Sequence, residues 1–440
     1  MTTPQSRKIA VLGGGPMGLA CAWRLIKQGH DVTVYEAGDR LGGMTASFDF
    51  DGLQIERFFH FLCATDYDYF ELLQELGIDD KLHWVNTRMG LYHGGRLHDW
   101  GEPFALLRFP GLNLIEKMRY AFKVMYCKYL KNFDDLDGKA ATTWLRQWLG
   151  ERAYKVLWNP LMSLKFYQLQ DQVSAAWIAA RVQRVAHSRE SLFKEKLGYI
   201  EGCSETFIQA LGRAITTRGG VINLSTPVEQ VVVTDKRATG LRIKGESIAF
   251  DQVISTIPLP YVAPMVPDLP EVDRAKLQAV QNVGVVTVML KLKQQLTPYF
   301  WLNISDDSFQ IPGIIEYSNL NPLEDAVVYV PYYMPQTHVK FSWDAQQFRE
   351  ETVRCLRKVN PDFDESWIKA FHVSRYFYAQ PVCVRHYLST LPPMRSAING
   401  FYMADTSYYY PQDRSITESV KLGNQLADMA SADMRAGARG

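Results

Sequence analysis

Short apolar runs and a helical repeat alternate at the start of the chain. Lys8 to Leu12 (KIAVL) is a run that fits a strand buried on both faces. Apolar residues then recur at helical spacing from Leu19 to Lys27, and Val32 to Tyr35 forms a second apolar run. The pattern therefore predicts a strand, a helix and a second strand, the unit from which parallel sheets are built.

The middle of the chain divides into a mainly helical part and a part with strand-like alternation. Residues from about 66 to 195 carry apolar positions three and four apart, which predicts helices. Residues from about 259 to 390 alternate more: Gly284 to Gln294 and Asp325 to Met334 are predicted strands, and Asp344 to Asn360 is a predicted helix. The predicted fold class is α/β, or α+β when the whole chain is counted.

Composition and charge narrow the class of protein. With 440 residues, of which 47% are hydrophobic and 22% charged, the chain is long enough for two or three domains with sizeable cores. The 48 basic and 47 acidic residues nearly cancel, so no global field favours binding to nucleic acid. The six cysteines show no metal-ligand spacing, so neither a metal site nor a disulfide framework is predicted.

Two segments indicate where in the cell the protein is expected to be located. Residues 1–8 (MTTPQSRK) are too few and too polar for a signal peptide. The longest uncharged run, Gln252 to Pro267, holds four prolines and cannot form a membrane-spanning helix. The sequence therefore predicts a cytoplasmic protein.

Three glycines stand where the first strand meets the first helix. Gly13, Gly15 and Gly18 satisfy G-x-G-x-x-G: the first permits a tight turn, the second lets a pyrophosphate approach the backbone, and the third lets helix and strand pack closely. Glu36 ends the second strand, where a carboxylate accepts a hydrogen bond from a ribose 2′-hydroxyl and disfavours NADP. The alternative is a tight glycine turn without a ligand.

The residues after the second strand carry a family resemblance. The segment EAGDRLGGM, Glu36 to Met44, resembles the extension found in glutathione-reductase-like flavoproteins, particularly the flavin amine oxidase, protoporphyrinogen oxidase and phytoene desaturase group. The resemblance implies FAD as the cofactor, with Arg40 approaching its pyrophosphate and Gly42 and Gly43 letting the chain run beside it. The other residues of the first two motifs that are expected to contact FAD are Pro16, Met17, Ala37 and Met44.

Later segments resemble further parts of such a cofactor site. Gly219 to Val233 is predicted as a strand, a turn and a strand, with the backbone of Val228 as the expected contact to the adenine half. Gly400 to Ser407 is a strand ending in Asp405, which the resemblance places at the ribityl and phosphate region. For Asp405 the alternative is an ordinary strand-end cap.

A helix beginning at about Ile416 follows this strand. The resemblance directs its N-terminus at the pyrimidine edge of the flavin, with the backbone near Thr417 and Glu418 as the contact. A helix N-terminus stabilises the negative charge that develops on reduced flavin.

The resemblance also implies a Rossmann-like FAD-binding domain assembled from separated segments and interleaved with a mixed-sheet and helical substrate domain. Residues 1–65, 196–258 and 391–435 form the FAD-binding domain in this division. Residues 66–195 form a helical cap, and residues 259–390 form a sheet-containing substrate domain.

Three residues are the candidates for catalysis. Arg57 and His60 follow the Arg40 loop, at the distance where the family's chain passes the flavin ring, and Tyr409 lies in the cluster Tyr408 to Tyr410. Two of them have structural alternatives: His60 as a hydrogen-bonded histidine in an aromatic wall, and Tyr409 within tyrosines that pack between domains.

Other clusters have mainly structural interpretations. Tyr329 to Tyr333 is predicted to be sheet core. Asp413 and Arg414 are expected to form a local ion pair that caps the last helix, with Arg414 as a ligand of an anionic substrate group as the alternative. Thr287 stands where amine oxidases of this group usually carry a lysine, which disfavours oxidation of a simple amine.

One basic segment raises the question of a membrane surface. Residues 108–132 hold six basic residues, one acidic residue and many apolar ones. Such a segment either lies on a membrane and admits a lipid substrate, or is a solvated cap helix with a core-facing stripe.

The resemblance leads to an expected function. The chain is expected to be an FAD-dependent oxidoreductase that dehydrogenates a C–N or C–C bond of a small or lipid-like substrate by hydride transfer to flavin N5. One alternative is a non-redox flavoenzyme resembling UDP-galactopyranose mutase, with Arg57, Arg385 and Arg414 holding a diphosphate. A second alternative is a flavin-binding protein without catalysis. The expected partners are a small-molecule substrate and, peripherally, a membrane.

Overall fold

The strand–helix–strand unit expected at the start of the chain is present in the computed structural model, which describes residues 6–191 and 194–437. Residues 1–5, part of the segment that is predicted not to be a signal peptide, fall outside these ranges, as do residues 192–193 of the predicted cap. In chain order, the strands are β1 Lys8–Leu12, β2 Asp31–Tyr35, β3 Ser47–Phe50, β4 Leu53–Glu56, β5 Leu82–Asn86, β6 Met89–His93, β7 Arg96–Trp100, β8 Arg189–Ser191, β9 Lys194–Ile200, β10 Val221–Asn223, β11 Gln230–Thr234, β12 Arg237–Ile243, β13 Glu246–Ala249, β14 Gln252–Ser255, β15 Asn282–Leu292, β16 Trp301–Ile304, β17 Gly313–Glu316, β18 Ala326–Pro335, β19 Ile368–Pro381 and β20 Phe401–Met403.

The helices contribute the remaining regular structure. They are α1 Pro16–Lys27, α2 Tyr67–Glu75, α3 Pro103–Arg108, α4 Leu114–Tyr129, α5 Asp134–Asp137, α6 Ala141–Leu149, α7 Glu151–Leu157, α8 Asn159–Phe166, α9 Ala175–His187, α10 Cys203–Thr217, α11 Leu259–Met265, α12 Glu271–Ala279, α13 Ala345–Val359, α14 Tyr387–Thr390 and α15 Ile416–Gly437. None of the helices in the described ranges is both long and apolar enough to cross a bilayer.

A parallel five-stranded sheet carries the N-terminal unit. Its strand order is β10-β2-β1-β14-β20, so the sheet is assembled from three separated stretches of the chain. In the central strand, Ile9 and Val11 face the helices α1, α10 and α15. Ala10 and Leu12 face the antiparallel sheet β11-β12-β13 on the other side. Because both faces are covered, the strand is apolar on both, as the run KIAVL predicted.

Helix α1 lies unusually close to its neighbours. A Cβ atom on Gly18 would stand 1.9 Å from the carbonyl oxygen of Gly13, in the loop that precedes the helix. A Cβ atom on Gly423 of α15 would stand 2.3 Å from the carbonyl oxygen of Met17. Only glycine at these two positions allows the backbones to approach so closely.

A seven-stranded mixed sheet forms the second layer. Its order is β19-β15-β18-β17-β16-β6-β7, and β15, β18 and α13 occupy the segments predicted for them. Two of its strands, β6 and β7, come from the part of the chain that was expected to be mainly helical. The hairpin turns at Gly94 and Gly95, both with positive φ. A pair of glycines between two apolar runs is typical of a β-hairpin, so the sequence contained the information to predict these two strands.

The helical part of the molecule is more broken than its apolar pattern suggests. Residues 139–166 form three helices, α6, α7 and α8. Gly150 separates the first two with φ 86°, and Pro160 occupies the first turn of the third. The breaks let the chain turn between the helices, so that α6 packs on α4 and α9 whereas α8 packs on β18.

We expect Gly423→Ala to lower the free energy of unfolding by about 1–3 kcal/mol, because the methyl group meets backbone that cannot rotate away. The matched control is Gly212→Ala in α10, where the nearest atom is a methyl group of Leu41 at 3.1 Å and helix propensity favours alanine. The control should change stability by no more than about 1 kcal/mol. Denaturant unfolding followed by circular dichroism measures both, and equal losses would contradict the backbone contact.

Candidate functional site

One large cavity runs between the parallel sheet and the seven-stranded sheet. Its volume is about 1810 Å³, well above the roughly 300–1,000 Å³ typical of a site for one small ligand. The lining begins at the β1–α1 loop, passes over β15, β18 and β19, and ends at α3 and α4. The cavity therefore has room for a dinucleotide cofactor together with a second molecule.

The nucleotide end of the cavity is built from backbone. Gly13 has φ 103°, a conformation that favours glycine, and its amide donates to the carbonyl of Tyr35. The position of a Cβ on Gly15 has no neighbour nearer than 4.0 Å, so this backbone stays open to a ligand. The amides at the N-terminus of α1 follow directly, and together these features fit a pyrophosphate.

Glu36 is fixed by its neighbours at this end. Its two carboxylate oxygens accept hydrogen bonds from the amides of Gly14 and Gly38, each at 2.7 Å. Glu36 also lines the cavity. The carboxylate is thus held beside the glycine loop, with acceptor capacity left for ribose hydroxyls.

The Arg40 loop differs in detail from the expectation. The Arg40 guanidinium donates to the carbonyl of Ser47 at 2.6 Å, and the residue does not line the cavity. Gly42 has φ 112° and its amide donates to the carbonyl of Gly14 at 2.8 Å. Arg40 and Gly42 therefore brace the loop, and Gly43 and Met44 present its backbone to the cavity.

Most of the residues predicted to contact the cofactor do line the cavity. They are Gly13, Gly15, Pro16, Met17, Gly18, Glu36, Ala37, Gly43, Met44, Val228 and Asp405. The described residues thus bring the motifs at the two ends of the chain and the middle segment to one surface.

The first turn of α15 reaches the cavity, but not through the two residues named from the sequence. Thr417 and Glu418 do not line the cavity. The hydroxyl of Thr417 accepts from the amide of Tyr69, and the amide of Glu418 donates to Ser415 Oγ at 3.2 Å. Ser415, Ile416 and Ser419 present this helix turn to the cavity instead.

Asp405 caps a turn and also lines the cavity, and its contact with the ribityl and phosphate region stays a prediction. Its carboxylate accepts from the amides of Ser407 at 2.8 Å and Leu259 at 2.9 Å, which is a capping role. The residue is 5% exposed and lines the cavity. Burial raises the pKa of Asp405, and the two backbone amides oppose that shift.

The three candidates for catalysis share this cavity. Arg57 is exposed, and its guanidinium carbon lies 5.9 Å from the centre of the Phe48 ring. His60 Nδ1 lies 3.3 Å from Glu56 Oε2, which holds the imidazole in place. Tyr409 is buried, and its hydroxyl is 2.7 Å from Ser419 Oγ. All three line the cavity, and their catalytic roles remain predictions.

The floor of the cavity is one face of the seven-stranded sheet, of which the sequence analysis named Thr287 and the cluster Tyr329 to Tyr333. Thr287 of β15 lines the cavity and lies between Pro331 of β18 and Ser374 of β19. Tyr333, at the next inward position of β18, also lines it, whereas Tyr329 is sheet core as predicted. Alternation along three adjacent strands could have indicated this face only if their pairing had been known.

The prediction that Asp413 forms an ion pair with Arg414 is wrong, because Asp413 pairs with a different arginine. The carboxylate of Asp413 pairs with the guanidinium of Arg181 from α9, and Arg414 contributes only its backbone amide, at 3.0 Å. The Arg414 side chain donates to the carbonyl of Ala379 and to Gln380 Oε1. The sequence could not show this because Arg181 lies more than 200 residues away.

The three arginines of the mutase alternative do not converge. Arg57 and Arg414 line the cavity, but Arg385 is exposed and does not. A diphosphate held by all three side chains is therefore not supported by the arrangement.

The charge of the cavity is positive although that of the chain is nearly balanced. Of the described residues that line it, nine are lysine or arginine and five are aspartate or glutamate. Such a lining attracts anions and disfavours small cations.

Comparisons with known proteins agree with this geometry. The family described as flavin containing amine oxidoreductase matches residues 18–412, so the chain belongs to that family. The family and fold class predicted from the sequence are confirmed, and the flavin cofactor follows from the family's description.

Several relatives give the family more detail. The chain is 24% identical over 319 residues to a 15-cis-phytoene desaturase of Synechococcus elongatus, covering 66% of each protein, just under two thirds of the relative's length. It is 25% identical over 290 residues to a 4,4'-diapolycopen-4-al dehydrogenase of Metabacillus indicus, covering 59% of this chain and 57% of the relative.

Solved structures share the fold over the whole chain. A putative protoporphyrinogen oxidase from Exiguobacterium superposes with a TM-score of 0.76 at 19% identity, covering 98% of this chain and 99% of the other. Putrescine oxidase bound to putrescine gives a TM-score of 0.73 at 17% identity, covering 97% and 99%.

We expect Glu36→Gln to weaken FAD binding by about 10- to 150-fold, because hydrogen bonds to a charged acceptor contribute about 1.5–3 kcal/mol. In addition, the side-chain NH2 group of glutamine would face one of the two backbone N–H groups that now donate to Glu36, so that two donors would oppose each other. The measurement is titration of the apoprotein with FAD, followed by flavin fluorescence. Asp39→Asn, at an exposed neighbour in the same loop, is the control and should bind FAD like the wild type.

Proposed function

We propose that this protein is an FAD-dependent dehydrogenase that desaturates a C–C bond of a lipid-like substrate. The observation that carries the proposal is the continuity of the cavity, from the glycine loop at one end to exposed apolar side chains at the other. The proposal takes residues 1–65, 196–258 and 391–435 as the FAD-binding domain, 66–195 as a cap and 259–390 as the substrate domain.

Distinct groups of residues would hold the cofactor. The backbone at Gly13 and Gly15 would bind the pyrophosphate, Glu36 the ribose, and the first turn of α15 the pyrimidine edge of the flavin. FAD, when bound, accepts a hydride at N5, which is the chemistry of dehydrogenation. The protein's part is to orient the substrate against the ring and to exclude water.

The sheet face at the floor of the cavity favours dehydrogenation of a C–C bond over oxidation of an amine. Thr287 offers a hydroxyl where amine oxidases of the group usually carry a lysine. The excess of lysine and arginine in the lining repels the ammonium form of an amine substrate. Several curated relatives are named as carotene desaturases, which supports the same choice.

Helix α4 and the preceding α3 form the mouth of the cavity. Leu107, Leu114, Met118 and Met125 line the cavity and are between 38% and 64% exposed. Ile115, Phe122 and Tyr129 extend this apolar surface outward along α4, each at least 60% exposed. We call the seven side chains of these two helices the mouth surface.

An anionic lipid bilayer is the partner that fits the mouth surface. Arg108, Lys117, Arg119 and Lys128 lie along the same two helices, while the acidic Glu116 is paired with Arg152. Lys123 does not add to this charge, because its ammonium is buried 3.2 Å from the centre of the Trp144 ring. Apolar side chains beside basic ones are typical of helices that lie in a membrane interface. An apolar substrate would then enter directly from the bilayer.

We expect anaerobic mixing with a polyene lipid to bleach the flavin of the purified holoprotein. The test compounds are phytoene and zeta-carotene in vesicles, a tetrapyrrole, and putrescine, because relatives are named for such compounds. Reduction by a polyene supports the proposal. Reduction by putrescine alone would move the assignment to amine oxidation, and a holoprotein reduced by no compound but bleached by dithionite would favour the non-catalytic alternative.

The double variant Leu114→Glu/Met118→Glu should lose binding to vesicles by about tenfold or more, since each buried apolar side chain contributes about 1.5–3 kcal/mol. Cosedimentation with phosphatidylglycerol vesicles measures the bound fraction. Val272→Glu is the control, since Val272 is 69% exposed on α12, outside the mouth surface. Binding of the wild type to neutral vesicles only, or undiminished binding of the double variant, would contradict the membrane assignment.

A further inference from the structure

A cluster of basic residues, of which Lys165 is buried, lines the cavity on elements that do not carry the nucleotide motif. Lys165 belongs to α8 and Arg181 to α9, and Arg414 precedes α15. All three line the cavity, together with the carboxylate of Asp413. Three potential positive charges therefore face a single negative charge.

The carboxylate of Asp413 already accepts hydrogen bonds from two residues of the cluster. Asp413 accepts from the guanidinium of Arg181 and from the backbone amide of Arg414. Burial opposes the ionised form of Asp413, but the charges of Arg181, Lys165 and Arg414 dominate and hold its pKa below its usual range. Asp413 is thus an ionised partner of Arg181 and does not neutralise the rest of the cluster.

Lys165 is the member left without a counter-ion. The residue is 2% exposed, and its ammonium group makes no hydrogen bond or ion pair within the described part of the chain. Its nitrogen lies 4.7 Å from the centre of the Tyr333 ring and 5.1 Å from that of Trp177. Burial lowers the pKa of Lys165 well below its usual range, and Asp413 only partly opposes this. An anion in the cavity would restore the favourable environment of the ammonium.

Arg414 is the member of the cluster that shares a contact residue with Lys165. Its guanidinium donates to the hydroxyl of Tyr333 at 3.4 Å, so Lys165 and Arg414 contact the same tyrosine. The other charged pair of the region, Arg184 with Asp66 at 3.1 Å, is balanced. Within the cluster, Lys165, Arg181 and Arg414 therefore face one carboxylate, that of Asp413.

We propose that Lys165, with Arg181 and Arg414, forms a subsite for a carboxylate or phosphate group of the substrate. The proposal rests on the proposed function and narrows it: the substrate is an apolar molecule with an acidic group. The acid would lie against the cluster, and the apolar remainder would extend through the cavity toward the mouth surface. Lys165 supplies a flexible point charge, and Arg181 supplies the planar donors that suit either oxyanion.

The test compares ligands that differ only in their head group. Isothermal titration calorimetry of the purified protein uses laurate, dodecyl phosphate, dodecanol and dodecylamine, with acetate and inorganic phosphate as free anions. We expect the wild type to bind laurate or dodecyl phosphate at least about tenfold more tightly than dodecanol, the size of one charge-assisted hydrogen bond. The two anionic amphiphiles distinguish carboxylate from phosphate, and the free anions show whether the apolar chain is required.

Variants assign the preference to the cluster. Lys165→Met should lose the preference for the anion by about tenfold while dodecanol binding stays within about twofold, and Lys165→Arg should retain most of it. Lys155→Met is the matched control, because Lys155 is exposed on α7 and does not line the cavity. The flavin spectrum and the unfolding temperature report whether each variant is folded. If Lys165→Met does not fold, Arg414→Gln decides the question, because it removes a second cation of the cluster and should also weaken the preference for the anion.

The inference is overturned if the wild type binds no amphiphile, binds all head groups equally, or prefers dodecylamine. An unchanged preference in Lys165→Met also overturns it. Failure of the proposed function is a separate result, seen as a protein that takes up no FAD or is reduced by no lipid. Calorimetry does not depend on either outcome.

Discussion

Two backbone contacts on a single helix set the geometry of the cofactor site. At Gly18, α1 touches the loop that leads into it, and at Met17 it touches Gly423 of α15. Helices α1 and α15 both begin at the cavity, so this contact fixes the distance between the two helix N-termini. A cofactor with a pyrophosphate at one end and a flavin at the other needs that distance held constant. Side-chain packing alone would allow more movement than direct contact of two backbones.

The cavity is electrostatically divided along its length. The end at the glycine loop, or nucleotide end, offers backbone amides and the Glu36 carboxylate. The part beside α8 and α9 offers lysine and arginine, and the outer end offers leucine and methionine beside Lys117 and Lys128. Each part is served by a different group of elements: the parallel sheet, the α8–α9 pair, and the α3–α4 pair. A molecule bound here would take one orientation, because only one of its ends can match each environment.

Local signals in the sequence were enough for the fold class and the nucleotide end. The apolar run before Gly13, the spacing to Glu36 and the helix beginning at Ile416 each depend on neighbours within a few residues. The hairpin at Gly94 and Gly95 was within reach of the same reasoning, since paired glycines between apolar runs indicate a tight turn.

Residues brought together over long separations could not be predicted in this way. Arg181 pairs with Asp413 across 232 positions, and Lys165 joins them in the lining of the cavity. Arg40 was expected at a phosphate, but the carbonyl of Ser47, seven residues away, captures its guanidinium. In each case the local sequence allowed several partners, and tertiary packing selected one.

The order of strands in the parallel sheet has a consequence for the synthesis of the protein. β1 is the central strand, yet the edge strand β20 is made only when the ribosome has reached Phe401–Met403. The seven-stranded sheet also depends on strands that are far apart in the chain, because β6 pairs with β16, some 200 residues later. Neither layer can close while the chain is growing, so both must assemble late and almost together. The nascent chain therefore carries unpaired strand edges for most of its translation, and such edges can pair with strands of other chains.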